Sequence, residues 1–172
     1  MDLKHKSKKR TGPKPAEKAE DAYNYAMWYL NNFGDTSESN LRTKLKNKTD
    51  NQEWIDFAIN KVIEHRFQSD ARYAEIIVRQ GMETKSWGRS RIAQELMKKG
   101  IQTDIANEAM SPLDDDDPID RATQGLGKKF RDRDIVEQKD LAKAQRFLAT
   151  RGFDFDCISA AIKQHNDNAS AE

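Results

Sequence analysis

Basic side chains at helical spacing carry the most readable chemistry in this chain. In the stretch Gly88–Ile101, the apolar pair Ile92 and Leu96 lies four apart, and Arg89, Arg91, Lys98 and Lys99 surround it. With that pair turned inward on a helix, Arg91 and Lys98 share a face, while Arg89 and Lys99 project elsewhere. Arg72 and Arg79, seven apart, line one side of the preceding segment. Arg42 and Lys46 stand one turn apart in the basic run Arg42, Lys44, Lys46, Lys48. Toward the C-terminus come Lys128, Lys129, Arg131, Arg133, Lys143, Arg146 and Arg151. Guanidinium forks take carboxylate and phosphate alike, so these residues could hold an acidic protein surface or a nucleic acid. They equally suit a solvated helix face with pairs such as Arg91–Glu95. Trp87, in Lys85-Ser86-Trp87-Gly88-Arg89, could stack on a base or anchor an interface. It could also pack beneath its own helix.

Other chemistries find little material. His5, His65, His165 and Cys157 are too scattered for a zinc motif, and there is no nucleophile elbow or P-loop. Gly125-x-Gly127 follows no strand signal, so a nucleotide loop is not read there. Asp114–Asp117 reads as an acidic linker that could compete internally for the basic faces. We expect neither catalysis nor a cofactor. With one cysteine, no intrachain disulfide is possible, and a reducing cytoplasm is expected. No apolar run approaches the ~20 residues that cross a bilayer, so no membrane partner is expected. The basic N-terminus lacks the apolar stretch of a signal peptide.

The elements that must position these side chains follow from composition and period. Of 172 residues, 36% are apolar and 34% charged, and the net charge is only +1. A chain this polar does not fill one thick core, so an elongated shape is expected. A uniformly basic coat is excluded, and charge must act through local segregation. Residues 66–101 carry eight basic against four acidic side chains, and residues 121–151 carry nine against four. Residues 102–120 between them carry seven acidic and no basic.

One apolar pattern recurs three times at offsets of 51 and 52 residues: Leu41/Leu45, Ile92/Leu96 and Ala144/Leu148. At the same offsets, Trp54, Ile55, Ala58 and Ile59 align with Ile105, Ala106, Ala109 and Met110, then with Cys157, Ile158, Ala161 and Ile162. The spacing i, i+1, i+4, i+5 marks one helix face. A further stripe precedes each pair: Ala22, Tyr25, Ala26, Tyr29 and Phe33; Tyr73, Ala74, Ile77 and Val78; Ala122, Leu126 and Phe130. These place Trp28, Trp54 and Cys157 in or beside core slots. Gly34–Ser37 reads as a turn and N-cap, and Asp50-x-x-Glu53 as a capping box. Gly100-Ile101 and Gly152-Phe153 read as helix ends with a left-handed glycine. Strand signals are absent. The expected fold is all-α, an elongated array of three tandem three-helix repeats over 21–66, 67–111 and 119–165. A disordered basic tail (1–20), an acidic linker (112–118) and a flexible C-terminus (166–172) complete it.

Phe67–Ile101 resembles the central signature of the RecX family of RecA regulators. It has Asp70 before Arg72-Tyr73-Ala74, then Arg79, a loop with Gly88, and Lys99-Gly100-Ile101. The third repeat resembles the family again in Arg146-Phe147-Leu148-Ala149-Thr150-Arg151-Gly152-Phe153. The first repeat departs from it, with Asn47-Lys48-Thr49 where Gly100 would align, and the acidic run lies outside the common pattern. The resemblance implies helical repeats and no enzymatic activity. It also implies binding in the groove of RecA–DNA filaments, with restraint of strand exchange and filament growth. On this reading the partners are the RecA filament and, more weakly, single- and double-stranded DNA, met by a monomer. The contacts would come from Arg72, Arg79, Trp87, Arg89, Arg91, Lys98, Lys99, Arg42, Lys46, Arg146 and Arg151. The other reading of the same residues is a direct DNA-binding helical module or transcription regulator.

Overall fold

A computed structural model describes residues 14–131 and 133–170. Among these residues all regular structure is helical. Helices α1 (Ala19–Phe33), α2 (Glu38–Lys46) and α3 (Gln52–Glu64) form a first compact unit ending at Gln68. A second unit, from Ser69, holds two trios: α4 (Asp70–Arg79), α5 (Arg89–Lys98) and α6 (Thr103–Ala109), then α7 (Pro118–Phe130), α8 (Gln138–Ala149) and α9 (Phe155–Ala169).

Local chemistry sets where the helices start. Ser37, Ser69 and Asp154 each accept a hydrogen bond from the amide three residues on, at 3.2, 3.2 and 2.8 Å. These are side-chain N-caps that satisfy an otherwise orphaned amide. The capping box expected at Asp50 is displaced by one residue. Asn51 caps α3, accepting from the Trp54 amide at 3.2 Å, and Thr49 Oγ1 holds the Asn51 amide in turn. With Asn51 in that role the third helical position is Trp54, so Glu53 cannot close a reciprocal bond.

The ends follow the glycine reading. At Gly100 (φ 74°), Ile101 N donates to Leu96 O and Gly100 N to Met97 O. Gly152 (φ 83°) repeats the pattern, with Phe153 N donating to Leu148 O and Gly152 N to Ala149 O. Both are Schellman closures, and both tuck the following apolar side chain into the core. Helix α2 has no such glycine and ends with Lys48 N and Thr49 N both donating to Leu45 O.

Each trio has its own core. Leu41 and Leu45, Ile92 and Leu96, and Ala144 and Leu148 are all fully buried. So are Ala22, Ala26, Ala58 and Ile59 in the first trio, and Ala122, Leu126 and Ala161 in the third. Each full-sized aliphatic among them is worth about 1.5–3 kcal/mol on burial. Phe33, expected in the first stripe, is 64% exposed. It sits on the last turn of α1 and lies against Tyr29 and Trp28 instead of in the core.

Two further expectations are corrected. Residues 14–20 of the expected tail are engaged: Ala16 N donates to Lys48 O, Ala16 packs on the first core, and α1 begins at Ala19. The remainder of that tail, 1–13, lies outside the described residues. Helix α9 runs on through Ala169, because Asn166 brackets Ile135, accepting from its amide at 2.8 Å and donating to its carbonyl at 3.2 Å. The backbone after Arg79 stays wound. It makes a wide π turn over Gln80–Thr84 that seats Gly81 beneath Ile92 and Trp87.

The second and third trios join through backbone. Gly88 N donates to Arg151 O at 2.7 Å. A Cβ on Gly88 would stand 2.5 Å from Gly152 O, and one on Gly152 would stand 2.4 Å from Arg91 N. Between the trios, the acidic segment breaks the helix after a 3₁₀ turn at Ser111–Leu113. It is tied down by an Arg89–Asp114 ion pair at 2.5 Å and by Arg121–Asp116, while Asp117 caps α7.

Candidate functional site

The cations singled out in the sequence meet different fates once the helices pack. Arg42 is spent within the first unit: its Nε lies 2.7 Å from Glu38 and its Nη1 lies 2.5 Å from Asp56. Burial works against its charge, but the hydrogen bonds it donates to Asp56 and Glu38 outweigh that and raise its pKa. The same hydrogen bond from Arg42, helped by Gln52, holds the Asp56 carboxyl below the ordinary range. Lys46, one turn on, is exposed with no ion pair among the described residues.

In the second trio, Arg72 is partly buried and already engaged, whereas Arg79 is exposed and borders a small apolar groove with Val78, Met82 and Ala109. Arg89 pairs with Asp114, so the acidic segment does compete for a basic face. Arg91 and Lys99 share one carboxylate, Glu95, at 3.8 and 4.0 Å. Lys98 has no ion pair among the described residues. Trp87 is partly buried against the second core, its amide donating to Gly81 O. Lys85 Nζ stands 4.2 Å and Arg91 Cζ 5.3 Å from its ring centroid.

The third trio draws its cations together. Arg151 Cζ stands 3.6 Å from the centroid of the Phe147 ring, and Lys129 Nζ stands 4.0 Å from the same centroid. Burial lowers the pKa of Arg151. Burial first, then the charges of Lys143, Arg151 and Arg146, push the Lys129 amine below the usual lysine range. Arg151 Nε donates to Lys85 O at 3.2 Å, and Lys128 Nζ to Glu83 O at 3.0 Å. Arg146 is exposed, its Nε donating to Ala142 O at 3.2 Å. So Arg151 and Arg146 gather with Lys128, Lys129 and Lys143, which sequence reading saw only as a run of charge. It missed Lys85 and Phe147, since no local signal shows that residues 84–86 meet the end of α8.

It also missed Arg121, which is 5% exposed, pairs with Asp116 and leaves its Nε without an acceptor. Among the described residues no group of His, Cys, Asp or Glu is placed to hold a metal ion. No described helix is long and apolar enough to cross a membrane.

Residues 69–110 match the family model described as RecX, second three-helix domain, and residues 115–162 match RecX, third three-helix domain. A regulatory protein RecX from Photobacterium profundum is 37% identical over 167 residues, 97% of this chain and 60% of that protein. A regulatory protein RecX from Vibrio parahaemolyticus is 36% identical over 128 residues, 74% of this chain and 81% of that protein. The crystal structure of RecX from Lactobacillus salivarius superposes with a TM-score of 0.68 at 26% identity, covering 86% of this chain and 96% of that one. The chain spans under two thirds of the length of some of these relatives, such as those from Photobacterium profundum and Clostridium perfringens. Helical trios, matched domains and identity along most of the sequence agree: the chain belongs to the RecX family of regulatory proteins.

Proposed function

We propose that this chain binds RecA–DNA filaments and restrains the recombinase, slowing strand exchange, filament growth and the accompanying ATP hydrolysis. Family membership carries the reading. On it, the protein performs no catalysis of its own and acts in the cytoplasm as a monomer, with naked DNA as a weaker partner. The disposition of charge supports it. Lys46, Arg79 and Lys98 stand exposed without ion pairs among the described residues, and Arg91 and Lys99 are only loosely held by Glu95. Such cations, spread over successive repeats, suit many weak contacts made together on a polymer, where linkage multiplies affinity.

The test is a titration of the chain into RecA on single-stranded DNA, following ATP hydrolysis and strand exchange. Wild type should depress both. Arg91→Glu with Lys98→Glu should melt like wild type yet inhibit several-fold more weakly. A chain without effect on RecA, or a folded double variant that inhibits as wild type does, refutes the reading or its choice of face respectively.

A further inference from the structure

A cleft of about 220 Å³ opens where the second and third trios meet. Its walls are the turn ahead of Trp87, the α7 face between Gly125 and Lys129, and the end of α8 at Phe147 and Arg151. Lys85, Lys128, Lys129 and Arg151 line it, and no carboxylate does. Lys143 and Arg146 continue the positive charge along α8, close enough to perturb Lys129. None of these six cations has an ion pair among the described residues.

Folding therefore gathers like charges around the Lys129 amine and leaves them unneutralised. A second, independent observation points into the same space. Ser86 is only 2% exposed, lines the cleft, and its hydroxyl has no hydrogen-bond partner among the described residues. Among the described residues Arg121 Nε alone is a buried side-chain polar atom without a partner, so the Ser86 hydroxyl is open to solvent at the cleft and within reach of a ligand acceptor there. Arg151 spends its Nε on Lys85 O, which holds the turn in place, and keeps its terminal nitrogens unbonded.

We propose that this cleft binds the phosphodiester backbone of a nucleic-acid strand. Ammonium, guanidinium and hydroxyl donors together are the set that contacts phosphate, and no amide or carboxylate side chain lines the cleft to read base edges. The row from the cleft along α8 calls for repeated anions, as a nucleic-acid chain offers. An acidic peptide would gain little here, because Phe147 is the only large apolar side chain in the lining. The inference rests on the regulator reading for its choice of nucleic acid, and it places a contact which that reading leaves unplaced.

The experiment measures binding of the full chain, without RecA, to a labelled oligothymidylate and to a duplex of equal length across a range of salt. Lys129→Gln with Lys143→Gln removes two exposed amines that make no hydrogen bond, and Ser86→Ala removes the unpaired hydroxyl. The double variant should bind about tenfold more weakly at low salt, and its log–log salt slope should shrink by roughly 0.7 for each phosphate it no longer neutralises. Ser86→Ala should weaken binding at every salt concentration with the slope unchanged. A larger loss on oligothymidylate identifies a single strand as the source of phosphate, and a larger loss on the duplex identifies double-stranded DNA. Pyrophosphate should compete, and poly-glutamate should not. A folded double variant with the wild-type slope, or poly-glutamate competing as well as pyrophosphate, overturns the proposal. Either result leaves the RecA titration standing, whereas a chain inert toward RecA but salt-sensitive at this cleft fails only the regulator reading.

Discussion

Gly88→Ala tests whether the second and third trios are locked by backbone contact. Gly88 has φ −75° and ψ 166°, an extended conformation open to any residue, so the substitution adds no backbone strain. Its whole effect comes from space. The new Cβ would lie 2.5 Å from Gly152 O, 2.8 Å from Gly152 C and 3.1 Å from Phe153 N, all main-chain atoms inside a helix closure. No rotamer change relieves such a clash, so the two trios must part. Overpacking of this kind costs about 1–3 kcal/mol. Parting also stretches the 2.7 Å Gly88 N–Arg151 O bond, worth about 1 kcal/mol. The expected total is about 2–4 kcal/mol, which for a unit of roughly one hundred residues lowers the melting temperature by more than ~8 °C.

Gly127→Ala is the control. It lies within α7 with nothing inside 4 Å of the added Cβ, so alanine there should stabilise by about 0.5–1 kcal/mol through backbone entropy. Thermal melts followed by circular dichroism read both. If Gly88→Ala melts with wild type while Gly127→Ala behaves as expected, the close approach of the trios is wrong.

Asp116→Ala should destabilise the second unit by about 1–3 kcal/mol in urea titration. It strips the acceptor from a 5%-exposed Arg121 whose Nε already lacks one. The Cys157 thiol is pushed up to about 11, by burial first and then by Asp154 and Asp117 against the opposing charge of Arg121. Alkylation by iodoacetamide should therefore be slow at neutral pH and rise only near pH 11. The folded value exceeds that of an unfolded thiol, so this group's share of stability is intact below about pH 8.5 and is lost as the pH climbs toward 11. A native protein that alkylates at neutral pH as fast as a free thiol would contradict the burial of Cys157.

The recurrence of Leu41/Leu45, Ile92/Leu96 and Ala144/Leu148 was enough to place three helical trios. Ser37, Gly100 and Gly152 were enough to place helix boundaries, because caps and left-handed closures depend on residues a few positions apart. The same locality misled at Asp50, where the neighbouring Asn51 won the cap. It misled also at Phe33, whose place in a stripe does not fix which neighbouring element will cover it, and which stays exposed against Tyr29 and Trp28. The chemistry of the basic faces was only half legible. Charge runs announced cations but not which ones a carboxylate elsewhere would take. Arg42 went to Asp56, Arg89 to Asp114 and Arg121 to Asp116.

Residue types and their short-range spacing thus settled the helices, their ends and the repeat. The meeting of Lys85 and Ser86 with Lys129, Phe147 and Arg151 came from the packing of one trio on the next. Burial and charge pairing depend on which surfaces meet in space, and residues more than forty positions apart leave no periodic trace of that meeting in the chain.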